Sequence, residues 1–365
     1  MIPVNKERKF FNSLQIFRGF AALMVVFHHE WIAFSHFHGA DSPILGFLGS
    51  LGKYGVDFFF VLSGFIITYS NYEKAGIIRE RKPYLINRVL RIYLPYLPVS
   101  ILMLILYYFF PSASEGKERD ISLLTSLTLV PAGKPALSVA WTLVHEMMFY
   151  LLFLSWFFSK KAWYWLVMIW AMVIIALNFF STGWVWRDHA FFSYLFSFYN
   201  LEFILGFLAA TALRKMKGRS KALFLILGLI TVVMVGSIKW LHKEEATINA
   251  GINLLLAAGF AIIILGSIGS RLDQLNSPNL LMILGNASYS IYLVHNLCIS
   301  IFIRFFMRFQ GEVPKFVIFL SVFLICCIAG VLYSKLFEEY LLNKFKRKLI
   351  PAKVKPTPQL AQTAE

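Results

Sequence analysis

Charged residues are scarce in this sequence of 365 residues, because Asp, Glu, Lys and Arg together make up 15% of it. A soluble domain carries about 25%. Apolar residues account for 58%, and the mean hydropathy is +0.67. So much apolar surface excludes a disordered chain and exceeds what a soluble core can bury. The composition therefore predicts an integral membrane protein, with room for about ten spans of about 20 residues each.

Cysteine is also rare. The three cysteines, Cys298, Cys326 and Cys327, lie within apolar runs, and their spacing matches neither a disulfide framework nor a metal site. The sequence contains no phosphate-binding loop, nucleophile elbow or zinc signature of the kind found in soluble enzymes. We therefore expect no metal and no tightly bound cofactor.

Acidic residues are few, with 19 Asp and Glu against 35 Lys and Arg, which gives a formal net charge of +16 at pH 7. A basic excess can indicate a nucleic-acid partner, but in a membrane protein it commonly accumulates in cytoplasmic loops. With the N-terminus inside, 25 of the 35 basic residues fall on the cytoplasmic side. This asymmetry predicts an even number of spans, both termini in the cytoplasm and no nucleic-acid partner.

Windowed hydrophobicity predicts an all-α fold, a polytopic membrane bundle of about ten transmembrane helices. Residues 1–350 are predicted to form one transmembrane domain, and residues 351–365 a disordered cytoplasmic tail. Ionisable residues interrupt the first apolar segment and no cleavage site follows it, so we expect a retained helix rather than a signal peptide. The predicted spans are Leu14–His36, Gly55–Tyr72, Val89–Phe110, Leu137–Phe158, Ala162–Phe180, Phe191–Leu213, Ala222–Leu241, Ile248–Ile268, Asn279–Phe302 and Phe316–Phe337.

Ionisable residues within the first span mark a candidate site, because a charge at mid-membrane costs at least about 2.5 kcal/mol. Arg18 and His29 are 11 positions apart, which returns them to one helix face with His29 about 16 Å further along the axis. A neutral histidine at that depth can accept a proton. His28 points about 100° away. Hydrogen bonding of either histidine to a neighbouring helix is the structural alternative.

The fourth span carries an acid at a similar depth, Glu146 in the block AWTLVHEMMFY. We expect His29 and Glu146 to meet, because a carboxylate beside an imidazole fixes its tautomer and stabilises the imidazolium form. A purely structural ion pair between two helices is the alternative. Thr142, Glu146 and Tyr150 are spaced at i, i+4 and i+8, so they share one stripe of the helix.

Two arginines, Arg88 and Arg91, lie one helical turn apart at the cytoplasmic end of the third span. Each guanidinium offers a planar fork of donors, so the pair would make a good phosphate clamp. Binding to lipid head groups, or a role in topology alone, would use the same residues. Near the outer edge of the second span, Asp57 could orient a sugar hydroxyl or pair with Lys53.

Polar residues in the sixth and ninth spans give weaker signals, because tyrosines near a membrane face are commonly interfacial belt residues. These residues are Asn200, Glu202, Ser288, Tyr289, Tyr292 and His295.

Six blocks of the sequence, taken in order, resemble the bacterial membrane acyltransferase 3 family. The blocks are FRGFAALMVVFHH, GVDFFFVLSGF, RVLRIYLPY, WTLVHEMMFY, LEFILGF and SYSIYLVH. The resemblance covers nearly the whole chain, and the fourth block is most similar to the branch that acetylates exopolysaccharides. It implies about ten spans and transfer of an acyl group, usually acetyl, from cytoplasmic acyl-CoA to a hydroxyl of a cell-surface carbohydrate.

The resemblance also implies roles for individual residues. Arg18 matches the arginine of the family's first span, and His29 matches its histidine. Arg88 and Arg91 match an R-x-x-R pair implicated in donor binding, and Glu146 matches the acid of the fourth span. An additional histidine, His28, precedes His29, and the helical phase favours His29.

Together these observations predict an O-acyltransferase of the bacterial cytoplasmic (inner) membrane. Acetyl-CoA or another acyl-CoA is the expected donor substrate, a surface polysaccharide or lipid-linked glycan the acceptor, and membrane lipids the surroundings. We expect His29, oriented by Glu146, to take the proton of the attacking sugar hydroxyl, and a transient acyl-histidine is equally allowed.

Other side chains are predicted to bind the substrates. Arg18 would assist the R-x-x-R pair on the CoA phosphates, and Trp141 and Asp57 would stack on and hydrogen-bond a sugar. Tyr150 or Tyr292 would donate to the developing oxyanion. The alternative function is a carrier or flippase for a glycolipid or polysaccharide intermediate, with the buried charges as a proton relay. The sequence has no apparent inverted repeat to favour it.

Overall fold

The computed structural model describes residues 11–39, 42–110, 121–179, 188–216, 221–241, 246–270, 279–309 and 312–349. Within these ranges the chain is helical and forms no β-strand. The predicted tail, residues 351–365, lies outside the described residues. The α-helices are α1 (Asn12–His38), α2 (Pro43–Gly52), α3 (Gly55–Asn71), α4 (Arg81–Phe109), α5 (Leu123–Thr128), α6 (Trp141–Leu152), α7 (Lys160–Phe179), α8 (Ala190–Leu195), α9 (Tyr199–Leu213), α10 (Lys221–Leu241), α11 (Ala246–Ser267), α12 (Asn279–Asn286), α13 (Ser288–Phe306), α14 (Lys315–Tyr333) and α15 (Glu339–Leu349).

Each of the ten predicted spans overlaps one or two of these helices, and the last residue of the fifth span, Phe180, lies outside the described residues. In the described chain, eight helical stretches are long and apolar enough to cross a membrane. Helix α1 is less apolar, because it carries Arg18, Glu30 and several histidines, yet its 27 residues extend about 40 Å and exceed a hydrocarbon core of about 30 Å. The apolar stretch Gly251–Ser267 of α11 is shorter. These findings confirm an all-α polytopic membrane bundle.

Short non-α turns interrupt several of the spans. A 3₁₀ turn at Phe153–Phe157 follows α6, and a π-helical turn at Ser334–Glu338 joins α14 to α15. Helix α4 continues through Pro95 and Pro98, each of which removes a backbone donor. In this stretch the hydroxyls of Tyr289 and Tyr333 donate to carbonyls of α4 at 3.1 and 2.7 Å, so α13 and α14 are tied to the helix that carries Arg88 and Arg91.

Helices α3 and α9 pack backbone against backbone. A Cβ added at Gly64 would lie 2.1 Å from the carbonyl oxygen of Phe203, and one added at Gly206 would lie 1.9 Å from that of Val61. Both distances are shorter than any side chain tolerates, so only glycine permits this approach. The contact fixes the register between the helix of Asp57 and the helix of Glu202.

Aromatic side chains fill the largest core cluster, next to the helix that carries Glu146. Six of them are completely or almost completely buried: Phe149, Phe153, Trp156, Trp163, Phe203 and Phe207. Ring contacts join α6 to α7 and α9 through Phe149, which lies 4.7 Å from Phe203 and 6.0 Å from Trp163 between ring centroids. This packing holds α6 in place and therefore positions Glu146.

Candidate active site

Three arginines from two helices converge on one cavity, here called the arginine cavity. It is lined by Arg18 of α1 and by Arg88 and Arg91 of α4, which lie one turn apart as the sequence predicted. The other polar lining residues are Ser63, Thr142, Glu146, Tyr150, Ser288, Tyr289 and Tyr292. Its volume is about 80 Å³, below the roughly 300 Å³ of a typical ligand pocket, so the cavity must widen to admit an acyl thioester.

None of the three arginines forms an ion pair with a described carboxylate. Ion pairs in the described chain include Lys74 with Glu80 and Arg214 with Glu73. Arg18 donates to Gln15 at 3.3 Å, and the guanidinium of Arg88 lies 5.3 Å from the centroid of the Tyr150 ring. Three cations that share a cavity with one carboxylate create a positive field, which suits an anionic ligand.

Glu146 lies among hydroxyl groups of the arginine cavity. Its Oε1 accepts a hydrogen bond from Ser63 Oγ at 3.1 Å and another from the hydroxyl of Tyr150, one turn along α6. The stripe predicted for α6 is therefore real. Tyr150, predicted to contact the acceptor or the oxyanion, lines the arginine cavity, where its hydroxyl donates a hydrogen bond to Glu146.

A second cavity, here called the histidine cavity, is lined by both candidate histidines and by the predicted sugar-binding residues. Its volume is about 320 Å³, which is in the range of small-molecule pockets. The rings of Trp141 and Tyr199 lie 5.0 Å apart between centroids, and both offer flat apolar faces. The main polar lining residues are His28, His29, Lys53, Asp57, Lys239 and Asn253.

Asp57 is buried in the wall of the histidine cavity, and Glu202 on α9 is buried close to it. Neither carboxyl oxygen of Glu202 has a hydrogen-bond partner among the described residues. This proximity gives Glu202 a place beside the site that its sequence signal did not suggest.

The two cavities lie at different levels along α1, beside Arg18 and beside His29, and meet at Val56 and Tyr292, which line both. Helix α3 contributes Asp57, near its beginning, to the histidine cavity and its later turns to the arginine cavity. Helix α6 does the same with Trp141 and Glu146. Tyr292 is fixed between them, because its hydroxyl lies 2.9 Å from Thr142 Oγ1 and 3.1 Å from the carbonyl oxygen of Val139.

The predicted pair of His29 and Glu146 is not formed, because the two residues line different cavities. Helical phase correctly placed Arg18 and His29 on one face of α1, but it could not say which neighbour each would meet. The hydrogen-bond partners of Glu146 are hydroxyls, whereas the partners of His29 lie on α1 itself and on α13.

His29 instead contacts a second buried histidine. Its Nδ1 lies 3.0 Å from the carbonyl oxygen of Val25 and 3.3 Å from Nε2 of His295. His295 is 0% exposed, and its Nδ1 lies 2.7 Å from the carbonyl oxygen of Tyr292. His295 was only a weak candidate in the sequence, although burying a histidine within a membrane-spanning helix is costly and therefore points to a role.

Ser288 is another residue that the sequence signalled only weakly. It is 0% exposed and lines the arginine cavity. Its hydroxyl has no hydrogen-bond partner among the described residues, and an unpaired buried hydroxyl costs about 1 to 3 kcal/mol. Such a group is suited to a polar atom of a bound ligand.

The sequence is similar to known acyltransferases. Residues 11–332 match a family described as "Acyltransferase domain". The exopolysaccharide production protein ExoZ of Rhizobium meliloti (strain 1021) is 28% identical over 280 residues, which cover 73% of this chain and 81% of that protein. No solved structure matches. Because the family match spans both cavities and most of the chain, this protein belongs to the acyltransferase 3 family of membrane acyltransferases.

Proposed function

We propose that this protein is a membrane O-acyltransferase that moves an acyl group, acetyl in the simplest case, from acyl-CoA to a hydroxyl of a carbohydrate. The observation that carries the proposal is the pair of cavities of different chemistry that meet at Tyr292. One suits an anionic donor and the other a sugar. A reaction between two substrates that approach from opposite ends requires such a meeting point.

The donor is assigned to the arginine cavity. CoA carries several phosphate groups, and the forked guanidiniums of Arg88 and Arg91, with Arg18 nearby, are well suited to hold them. The thin pantetheine arm would then extend along the cavity toward Tyr292 and carry the thioester to the boundary of the histidine cavity. CoA acts here as a substrate that is released after each turnover.

The acceptor is assigned to the histidine cavity. Trp141 and Tyr199 offer aromatic faces on which a sugar ring can stack, and Asp57 offers a carboxyl group for its hydroxyls. A relative named for exopolysaccharide production supports an extracellular polysaccharide or its lipid-linked precursor as the acceptor. The distribution of basic residues supports the bacterial inner membrane, with both termini cytoplasmic and the donor supplied from the cytoplasm.

His29 is the proposed general base. As the sugar oxygen bonds to the thioester carbonyl carbon, its proton passes to a ring nitrogen of His29. The carbon–sulfur bond then breaks, and the proton returns from His29 to the CoA sulfur. The products are an O-acyl sugar and CoA with a free thiol, so atoms and charge balance. Glu146, which does not contact His29, is assigned to the donor side through Ser63 and Tyr150.

The test is transfer of label from [¹⁴C]acetyl-CoA to a glycan in membranes that contain the protein. We expect His29→Ala to abolish labelling, while His36→Ala, on the same helix and lining neither cavity, retains it. The amount of folded protein is measured for both variants. Labelling that survives in His29→Ala would refute the assignment of the base. Absence of labelling in the unmodified protein, with lipid-linked sugar still crossing vesicles, would identify a carrier instead.

A further inference from the structure

The hydrogen bonds around His29 define which of its nitrogens carries a hydrogen. A carbonyl oxygen only accepts hydrogen bonds, so Nδ1 of His29, at 3.0 Å from the Val25 carbonyl, is the protonated nitrogen of the neutral ring. The same reasoning applies to His295, whose Nδ1 lies 2.7 Å from the Tyr292 carbonyl. Both rings therefore have a hydrogen on Nδ1 and a lone pair on Nε2.

The contact between the two rings agrees with this assignment. Nε2 of His295, with its lone pair, lies 3.3 Å from Nδ1 of His29. The Nδ1 hydrogen of His29 is thus shared between a carbonyl and an imidazole nitrogen, as three-centre hydrogen bonds commonly are. Nε2 of His29 keeps its lone pair and has no partner among the described residues, in a ring that lines the histidine cavity.

We propose that His295 is a positioning residue for acyl transfer, which holds His29 in the tautomer whose Nε2 can take the hydroxyl proton. This inference rests on the proposed function and deepens it. It gives His295 the orienting part that the sequence had suggested for Glu146. Contacts run from the Tyr292 carbonyl to His295 and from His295 to His29. Tyr292, which lines both cavities, therefore also helps to hold the proposed base in place.

A neutral orienting group suits the surroundings. His295 is completely buried on α13, and a carboxylate in its place would cost much more to desolvate. An imidazole accepts the hydrogen bond without adding a charge. The backbone around it is also fixed, since the thiol of Cys326 on α14 lies 3.7 Å from the His295 carbonyl oxygen.

The test compares two substitutions at this position. Glutamine offers an amide N–H for the Tyr292 carbonyl and an oxygen for the His29 hydrogen, so His295→Gln should retain kcat within about tenfold. Leucine offers neither, so His295→Leu should lower kcat about a hundredfold or more. The KM for acyl-CoA should change less than about threefold in both, because the donor lies in the other cavity.

His145→Leu is the matched control. His145 is also a buried histidine, with Nδ1 at 3.3 Å from Asn200 Oδ1, and it lines neither cavity. We expect it to lose stability but to retain kcat per folded molecule. Wild-type kcat in His295→Leu, or equal losses in His295→Leu and His295→Gln at equal folded amounts, would overturn the positioning role. Absence of acyl transfer in the unmodified protein would instead overturn the proposed function, so the two failures are distinguishable.

Discussion

At the scale of single residues, substitution of an arginine in the arginine cavity can separate the effect of its positive charge from the effect of its hydrogen-bonding geometry. The guanidinium of Arg91 has no carboxylate partner among the described residues and faces a cavity that also receives Arg18 and Arg88. A bidentate contact to phosphate depends on the planar fork, which lysine lacks. A substitution of Arg91 by lysine, which keeps the charge but lacks the planar fork, should therefore differ in effect from a substitution by glutamine, which lacks both.

We expect Arg91→Gln to raise the apparent KM for acyl-CoA by about tenfold or more, with a smaller effect on the KM for the glycan. Arg91→Lys should fall between Arg91→Gln and the unmodified protein. Both KM values come from initial rates of label transfer. Arg81→Gln is the control, because Arg81 begins the same helix but lies outside the cavity. Equal rises in both KM values would indicate a folding defect rather than loss of donor binding.

Residue-level sequence reasoning succeeded where one helix carries the information. The phase of α1 placed Arg18 and His29 on one face, and the spacing of Arg88 and Arg91 placed two guanidiniums together. It failed for the partner of His29, because that partner, His295, is 266 positions away and on a different helix. The depth of a residue in the membrane follows from hydropathy, whereas its neighbour depends on how the helices pack.

At the scale of elements, hydropathy predicted the positions of the eight long apolar helical stretches of the described chain, because a helix satisfies every backbone hydrogen bond of an apolar run within the membrane. It did not predict the short helix α2, the turn at Phe153–Phe157 or the close contact of α3 with α9. From the sequence alone, the glycines of that contact were expected only to favour close helix packing in general. In the structure they let the backbones of α3 and α9 approach closely, and the same two helices carry Asp57 and Glu202.

Enlarging one of these glycines tests the contact. A Cβ at residue 206 would lie 1.9 Å from the carbonyl oxygen of Val61, so Gly206→Ala should destabilise the protein by about 1 to 3 kcal/mol through overpacking. The matched control is Gly251→Ala, also within a helix, where an added Cβ meets nothing within 4 Å. That variant should be unchanged or stabilised by up to about 1 kcal/mol.

Thermal unfolding in detergent, followed by the exposure of buried cysteines to a thiol reagent, measures both variants. The native cysteines suit this readout because all three are buried. A Tm for Gly206→Ala equal to that of Gly251→Ala would contradict the close packing of α3 on α9.

At the scale of the whole molecule, the predicted asymmetry of basic residues bears on function, because the orientation of the chain decides which side of the membrane each cavity faces. The orientation predicted from the basic loops would place the arginine cavity toward the cytoplasm, where the proposed acyl-CoA donor is made, and the histidine cavity toward the outside. Sequence counting predicted the orientation but not the two separate cavities, since it placed His29 and Glu146 in one site. One experiment can therefore test both the orientation of the chain and the side of the membrane from which the donor is used.

New cysteines at exposed positions can report the orientation, because the native ones are buried. Lys82, at the start of α4, and Lys134, in the connection before α6, are both exposed. A membrane-impermeant maleimide should label Lys82→Cys in inside-out vesicles and Lys134→Cys in right-side-out vesicles. Added acyl-CoA, which does not cross membranes, should support transfer only in the inside-out preparation. Detergent should make both preparations active, and equal donor use in intact right-side-out vesicles would contradict an arginine cavity that opens to the cytoplasm.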